Sequence, residues 1–228
     1  MSHQFPNILP LFSQTYELWD KLLSVNPKLC FDFGANNGGM AQSLAQKCKI
    51  VHAFEPVPDM FDKLCDVAYV HRNIVPFRLG VADVRKELKG QSVFNTWSIL
   101  PAGSRPDTAL DYVGKPPFDM KLVTLDEHSE IYGSPDIIKL DVDGYELRVL
   151  KGGLKTLSKK PVPIYFEYSY LPTFLGDSIE EMVALIYKLG YQAWSIDGKY
   201  VAETKEAMIG HYPQHTSYDV ILVHRDQK

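Results

Sequence analysis

A glycine-rich turn follows an apolar stretch near the start of this chain. Residues 29–33 are apolar apart from Asp32, and the turn after them carries Gly34 and Gly38 before a helical pattern begins. The free N–H groups at the start of such a helix favour a polar or anionic ligand. A second apolar stretch ends in Glu55, 21 residues after Gly34. An acid at this spacing typically binds a ribose, so the pattern predicts a nucleoside site.

The turn lacks one glycine of the dinucleotide-binding pattern G-x-G-x-x-G. Asn36 occupies the position of the second glycine. Because that glycine lets the backbone approach a pyrophosphate closely, its replacement argues against NAD and FAD. We therefore expect a nucleoside cofactor without a pyrophosphate.

Acidic residues also follow other predicted strands. Asp83 follows the third strand, Asp141 and Asp143 follow a buried strand farther along the chain, and Glu167 lies near the end of the next one. Ligands of parallel sheets bind at the carboxyl ends of the strands. The sequence therefore places the candidate site at this edge of the sheet.

Strands alternate with helices along most of the chain, which predicts a mainly parallel, doubly wound α/β sheet. We expect residues 1–228 to form a single domain. The predicted helices cover residues 13–24, 58–70, 145–157 and 178–189; the predicted strands cover residues 29–33, 50–55, 73–81, 121–125, 162–168, 191–196 and 218–224, with one more starting at residue 136.

Two segments stand apart from this alternation. Residues 13–24 form a helix ahead of the first strand, where it would act as a lid or a packing element. In residues 84–120 the periodicity fails, and glycine and proline are frequent. A long irregular segment inside a compact domain usually indicates a functional loop, so we expect an insertion that covers the substrate.

The composition is that of an ordinary globular protein, with 45% hydrophobic and 23% charged residues. A net charge of −4 gives no general attraction to nucleic acid or to anionic membranes. No apolar run is long enough to span a bilayer, and no secretory signal is recognisable. The cysteines Cys30, Cys48 and Cys65 are odd in number and form no C-x-x-C pair. We expect reduced thiols and a cytoplasmic protein.

Several segments together resemble the FkbM-type family of S-adenosylmethionine (SAM) dependent methyltransferases. They lie in the family's order between residues 29 and 168. One position departs from the family, since Asp143 stands where glutamate is more frequent. The matching segments are 32–38 (DFGANNG), 53–56 (AFEP), 124–126 (TLD), 138–146 (IKLDVDGYE), 150–152 (LKG) and 166–167 (FE).

The resemblance implies a Rossmann-like seven-stranded sheet with an antiparallel last strand, as in class I methyltransferases. It also implies SAM as the cofactor. Asp32 would bind the methionine ammonium, Glu55 the ribose hydroxyls and Asp83 the adenine amino group. Alternatively, Asp32 caps the adjacent loop or helix, Glu55 is a surface acid, and Asp83 simply forms a turn. The backbone that would surround the methionine end belongs to Gly34, Ala35, Asn36 and Gly38.

Asp141 and Glu167 are the candidate catalytic residues, because both follow strands beside the expected methyl group. Either could orient the acceptor or accept its proton. Together with Asp143 they could also hold a divalent cation. We do not favour a metal, because two carboxylates at positions i and i+2 commonly cap a helix. His128, His211 and His215 are weaker candidates for the base, since an isolated histidine is more often solvated.

Most members of the family are O-methyltransferases, so we expect a hydroxyl of a small molecule or glycan as the acceptor. An aromatic cluster could bind a sugar ring or could pack the insertion against the domain. The cluster consists of Trp97, Tyr112, Tyr165, Tyr168, Tyr170 and Phe174. Lys139 interrupts an apolar strand and is expected to be structural, reaching a sheet face or pairing with an acid.

Two other functions fit the same residues. The first is methylation of a ribose hydroxyl in RNA or an RNA cap, which needs a basic groove. The negative net charge argues against it, although two small basic groups leave it open. The second is a non-catalytic nucleoside-binding subunit, which the intact acids Asp32, Glu55 and Asp141 argue against. The sequence does not specify the oligomeric state.

Overall fold

The computed structural model describes residues 11, 13, 15–93, 98–101, 117–214 and 216–227. These residues form strands in two sheets and helices that cover the larger sheet. In chain order the strands are β1 (Leu29–Phe33), β2 (Ile50–Phe54), β3 (Ile74–Phe77), β4 (Gly80–Val81), β5 (Lys86–Val93), β6 (Ser98–Pro101), β7 (Phe118–Val123), β8 (Ile137–Leu140), β9 (Ile164–Ser169), β10 (Tyr191–Ser195), β11 (Val201–Ala202) and β12 (Ser217–His224). The α-helices are α1 (Glu17–Leu23), α2 (Gly39–Ala45), α3 (Pro58–Val70), α4 (Leu125–Tyr132), α5 (Glu146–Gly152), α6 (Leu154–Lys159), α7 (Ile179–Lys188) and α8 (Lys205–Gly210).

The central sheet has the strand order β11-β10-β12-β9-β8-β1-β2-β3. Strands β3, β2, β1, β8 and β9 pair in parallel, whereas β12 runs antiparallel to both β9 and β10. The predicted fold class is therefore confirmed, including the antiparallel last strand. The two-residue strand β11 adds an eighth strand at the edge.

Helices cover both faces of this sheet, because alternate residues of each strand point to opposite sides. Phe31 and Phe33 of β1 pack on one face against α4 to α8, and Cys30 packs on the other face against α1 to α3. The predicted N-terminal helix exists but starts at Glu17. Its Trp19 is buried against the sheet, so this helix is a packing element.

The predicted strand at residues 73–81 is wrong in its second half. Strand β3 ends at Phe77, where the N–H of Leu79 donates to the Phe77 carbonyl at 2.9 Å. This tight turn redirects the chain, and β4 pairs with β7 of the second sheet instead. Asp83 consequently does not follow a strand of the central sheet.

The expectation of an irregular segment at residues 84–120 is also wrong in part. Strands β5, β6 and β7 pair antiparallel within the second sheet. Exposed ion pairs join β5 and β7, from Lys89 to Asp119 at 2.6 Å and from Lys121 to Glu87 at 3.1 Å. Strand β5 has the sequence KELKGQSV, in which few residues are apolar, so no strong strand pattern is visible there. Residues 94–97 and 102–116 lie outside the described residues.

Helix α4 was not predicted, although its start is encoded locally. Thr124 and Glu127 form a capping box, in which each side chain accepts a hydrogen bond from the other residue's N–H. The predicted helix at residues 145–157 is divided into α5 and α6 at Gly153, directly after Gly152. A β-carbon at Gly152 would lie 2.1 Å from the Ala82 carbonyl oxygen.

The expectation of reduced cysteines is wrong for two of the three. Cys30 in β1 and Cys48 after α2 form a disulfide with a Cα–Cα distance of 6.4 Å, and Cys65 is free. The return of the chain from α2 to β2 brings these residues together, which their spacing alone does not reveal. The cysteines therefore no longer support a reducing compartment. No helix in the described part of the chain has the length and apolar character needed to cross a membrane.

Candidate active site

A cleft opens at the carboxyl ends of β1, β2 and β8. Its cavity volume is about 350 Å³, which is typical of a site for a small molecule. The loop after β1 and Glu55 after β2 line one end. The other end, which we call the β8–β12 end, is lined by Lys139, Asp141, Val142, Asp143, Tyr145, Tyr165 and Asp219.

Glu55 is held by the glycine-rich loop. Its carboxylate accepts hydrogen bonds from the N–H of Asn36 at 2.9 Å and of Val57 at 2.8 Å. Asn36 has a φ of 51°, a left-handed conformation that asparagine tolerates better than most residues. Burial raises the pKa of Glu55 to about 7, although both hydrogen bonds lower it. Each oxygen can still accept a ligand hydroxyl.

Gly34 allows the loop after β1 to approach the end of β8. A β-carbon at this position would lie 1.8 Å from the Asp141 carbonyl oxygen. The Lys139 ammonium donates to the Gly34 carbonyl at 2.6 Å and lies 3.2 Å from Oδ2 of Asp141. The loop and the two strand ends therefore form one connected unit.

Asp32 lies beneath this unit and does not line the cleft. Its side chain is fully buried, and its carboxylate oxygens accept no hydrogen bond from the described residues. Lys139 Nζ, at 3.5 Å from Asp32 Oδ1, balances the charge. Burial raises the pKa of Asp32, and Lys139 partly opposes this effect. The expected pairing of Lys139 with an acid is confirmed.

Three carboxylates approach one another near the β8–β12 end, where Asp141 and Asp143 line the cleft and Glu167 does not. Oxygen atoms of Asp141, Asp143 and Glu167 all lie within 4.8 Å of one another. Burial, and then the charge of Asp141, raise the pKa of Asp143 to about 7. The same two effects raise the pKa of Glu167, whose Oε2 forms no hydrogen bond with a described residue. This geometry suits a proton acceptor, and its oxygen donors could also hold a cation.

Glu146 shapes the backbone that carries Asp141 and Asp143. Its fully buried carboxylate accepts hydrogen bonds from the N–H of Val142 at 3.0 Å and of Gly144 at 3.0 Å. Asp143 has a φ of 52°, so the loop needs such support. Sequence analysis assigned Glu146 no role, although it belongs to the motif at residues 138–146.

Asp219 was also missed. It lies in β12 opposite Glu167 of β9, and the Tyr165 hydroxyl donates to its Oδ2 at 2.6 Å. Burial raises the pKa of Asp219, whereas the hydrogen bond from Tyr165 lowers it. The sequence signal that could have identified Asp219 is that it is an acid inside the otherwise apolar strand β12.

Other predicted residues do not line the cleft. Asp83 is exposed, and His128 is buried behind Phe54, where its Nε2 lies 2.9 Å from Nδ1 of His52. Burial lowers the pKa of His128 to about 4. His211 is hydrogen-bonded to the Ala207 carbonyl oxygen at 2.6 Å. His215 lies outside the described residues.

The predicted aromatic cluster is dispersed. Tyr165 lines the cleft, whereas Tyr168 is fully buried on the opposite face of the sheet, with its hydroxyl on the Met208 carbonyl at 3.1 Å. Tyr170 and Phe174 contact each other with ring centroids 5.5 Å apart, and neither lines the cleft. Trp97 and Tyr112 lie outside the described residues.

The cleft residues fit a nucleoside such as SAM. The backbone of Gly34, Ala35 and Asn36 lines the cleft beside Glu55, whose oxygens can accept ribose hydroxyls. Gly38 caps α2 with a φ of 90° and does not line the cleft.

Comparisons with known proteins identify the family of the chain. The family model described as the methyltransferase FkbM domain matches residues 32–193. A hexuronic acid methyltransferase, AglP of Haloferax volcanii, is 30% identical over 129 residues, which are 54% of this chain and 48% of the relative. The crystal structure of a methyltransferase FkbM from Methylobacillus flagellatus KT superposes with a TM-score of 0.51 at 17% identity, covering 86% of this chain and 43% of that one.

The structural similarity supports the fold alone, and this chain spans about half the length of each of these two proteins. The family model extends from Asp32 in β1 to Ala193 in β10 and so includes the glycine-rich loop, Glu55, Asp141 and Glu167. The chain belongs to the FkbM family of SAM-dependent methyltransferases.

Proposed function

We propose that this chain is an O-methyltransferase that methylates a hydroxyl group of a glycan or a related small molecule. SAM supplies the activated methyl group in this reaction. The observation that carries the proposal is the position of Glu167, which has an oxygen within 4.8 Å of oxygens of the cleft-lining Asp141 and Asp143 and whose Oε2 accepts no hydrogen bond from described residues. A carboxylate of raised pKa can accept the proton that an alcohol loses as it is methylated.

In this proposal the other acids have supporting roles. Glu55 binds the ribose hydroxyls of SAM, and the backbone of Gly34 to Asn36 surrounds its methionine end. Asp141, which Lys139 holds at 3.2 Å, orients the acceptor hydroxyl beside Glu167. The positive charge of Lys139 lies next to Asp141, so we include no metal ion in the reaction.

A sugar is the proposed acceptor class because the curated relative is named a hexuronic acid methyltransferase. Tyr165 and Tyr145 also line the cleft and offer aromatic surface for a sugar ring. The experiment incubates the chain with tritiated-methyl SAM and a panel of methyl glycosides, and mass spectrometry with NMR locates the new methyl group. We expect an O-methylated glycoside, with transfer that persists in EDTA. Transfer to nitrogen or carbon would contradict the proposal.

The same experiment separates the two alternatives. A capped RNA oligonucleotide is included as an acceptor, and its methylation in place of the glycosides would favour the ribose methyltransferase. For the non-catalytic alternative, titration calorimetry measures whether the chain binds SAM. Failure to bind SAM at high micromolar concentration would exclude the enzyme.

A further inference from the structure

A hydrogen-bonded tyrosine–aspartate pair forms part of the wall at the β8–β12 end. The Tyr165 hydroxyl donates to Oδ2 of Asp219 at 2.6 Å, and both residues line the cleft. Tyr165 is packed in place, with Trp19 at a centroid distance of 5.1 Å and Tyr16 stacked on it at 6.5 Å. The Asp219 carboxylate is therefore held in a fixed orientation at the cleft.

The position of Asp219 is unfavourable for stability. It lies directly opposite Glu167 in the antiparallel pairing of β12 with β9. Burial of its carboxylate raises the pKa of Asp219, so holding this group in its charged form costs free energy. Partly buried acids that face a cleft are characteristic of functional sites.

The charged groups at this end of the cleft bear on which acceptors could bind there. Four carboxylates lie close together here, although Glu167 does not itself line the cleft, and Lys139, the lysine among the described residues that line this end, already contacts Asp32 and Asp141. The other lysine of the described lining, Lys63, lies on α3, which follows Glu55 in the chain. A negatively charged acceptor would be repelled, whereas a neutral hydroxyl can donate to a carboxylate. The carboxylates are those of Asp141, Asp143, Glu167 and Asp219.

We propose that Asp219, held by Tyr165, binds a hydroxyl of an uncharged sugar ring and makes this chain select neutral sugars over hexuronates. The inference rests on the proposed function, because it requires the acceptor to occupy the β8–β12 end. The proposed acceptor differs from the one in the name of the Haloferax relative, which is a hexuronic acid.

The test measures binding without turnover. The chain is saturated with S-adenosylhomocysteine, and NMR titration gives the affinity for methyl glucoside, galactoside and mannoside and for the matching methyl uronosides. Each pair differs only by a carboxylate in place of a CH₂OH group. We expect a neutral glycoside to bind about tenfold more tightly than its uronate. This ratio of affinities corresponds to the loss of about one hydrogen bond.

Three variants test whether the Tyr165–Asp219 pair causes the preference for neutral glycosides. Asp219→Asn should reduce the ratio, and Tyr165→Phe should weaken neutral binding about tenfold, because each removes part of one charge-assisted hydrogen-bond system. Tyr168→Phe is the matched control, since it removes a buried tyrosine hydroxyl from the same strand on the other face. Its affinities should equal those of the wild type.

Several results would overturn the inference. They are tighter binding of the uronates, unchanged affinities in both Asp219→Asn and Tyr165→Phe, or no binding of any glycoside by a chain that binds S-adenosylhomocysteine. A chain that fails to bind S-adenosylhomocysteine would instead refute the proposed function, and the inference with it. Circular dichroism confirms that each variant is folded.

Discussion

The Lys139 ammonium lies 3.5 Å from the Asp32 carboxylate, and the two residues are paired in register between β8 and β1. Burial alone would lower the pKa of Lys139, but the charges of Asp32 and Asp141 outweigh this effect and raise it. Lys139 therefore stays charged, and Asp32 is its buried counter-charge. The pair links the start of the glycine-rich loop to the end of β8.

The first prediction concerns Lys139→Met. The substitution leaves the fully buried Asp32 without its counter-charge, and breaking a buried ion pair in this way costs about 3–5 kcal/mol. Urea unfolding at pH 8 measures the loss. The double variant Asp32→Asn/Lys139→Met should recover most of it, and Lys155→Met, at an exposed position, should change little. A double variant no more stable than Lys139→Met would contradict this account.

The features that the sequence predicted correctly are those that depend on local sequence patterns. Residues close in the chain predict the turn after β1 and the acid at the end of β2. A single charged residue in an apolar strand predicts the pairing of Lys139 with an acid. Helix α4 was also predictable, because Thr124 and Glu127 form a capping box.

Other features depend on distant pairing and were not predictable. The turn at Phe77 moves β4 into a second sheet, although the alternation continues through it. Asp219 reaches the cleft because β12 pairs with β9, and it meets Tyr165 only in that register. The disulfide between Cys30 and Cys48 likewise requires the path of α2.

The second prediction concerns Glu55→Ala. If Glu55 binds the ribose, the variant loses one or two hydrogen bonds to a charged group, and SAM binding weakens by about 2–4 kcal/mol. Titration calorimetry measures this change. Glu87→Ala, which removes an exposed acid of β5, is the control and should bind SAM as the wild type does. Unchanged affinity in Glu55→Ala would mean that the ribose lies elsewhere.

The third prediction concerns His128. Burial lowers its pKa from 6.5 to about 4, so between these values the unfolded chain binds more protons than the folded one. The contribution of His128 to stability should therefore fall as the pH decreases from 6.5 to 4, whereas buried carboxyls of raised pKa such as Glu55 act in the opposite direction. Urea unfolding at several pH values should show that the free energy of unfolding of His128→Phe, relative to that of the wild type, increases as the pH decreases through this range.

Phe77→Leu provides the control for this prediction. Phe77 packs edge-on to His128 with ring centroids 4.9 Å apart, so the variant loosens the same cluster without removing a titrating group. It should be destabilised at every pH and keep the wild-type pH dependence. Equal pH dependence in His128→Phe and the wild type would show that His128 does not carry the effect.

The fourth prediction concerns Glu167→Gln. If Glu167 accepts the proton of the acceptor hydroxyl, the variant should bind SAM normally and lose turnover by about 10²–10⁴-fold, the usual contribution of a general base. Wild-type turnover should increase with pH as Glu167 loses its proton, at a pH above the usual carboxyl range because burial and Asp141 raise its pKa. The variant should lack this increase. Glu181→Gln, at an exposed helical position, is the control, and full activity in Glu167→Gln would remove Glu167 from the reaction.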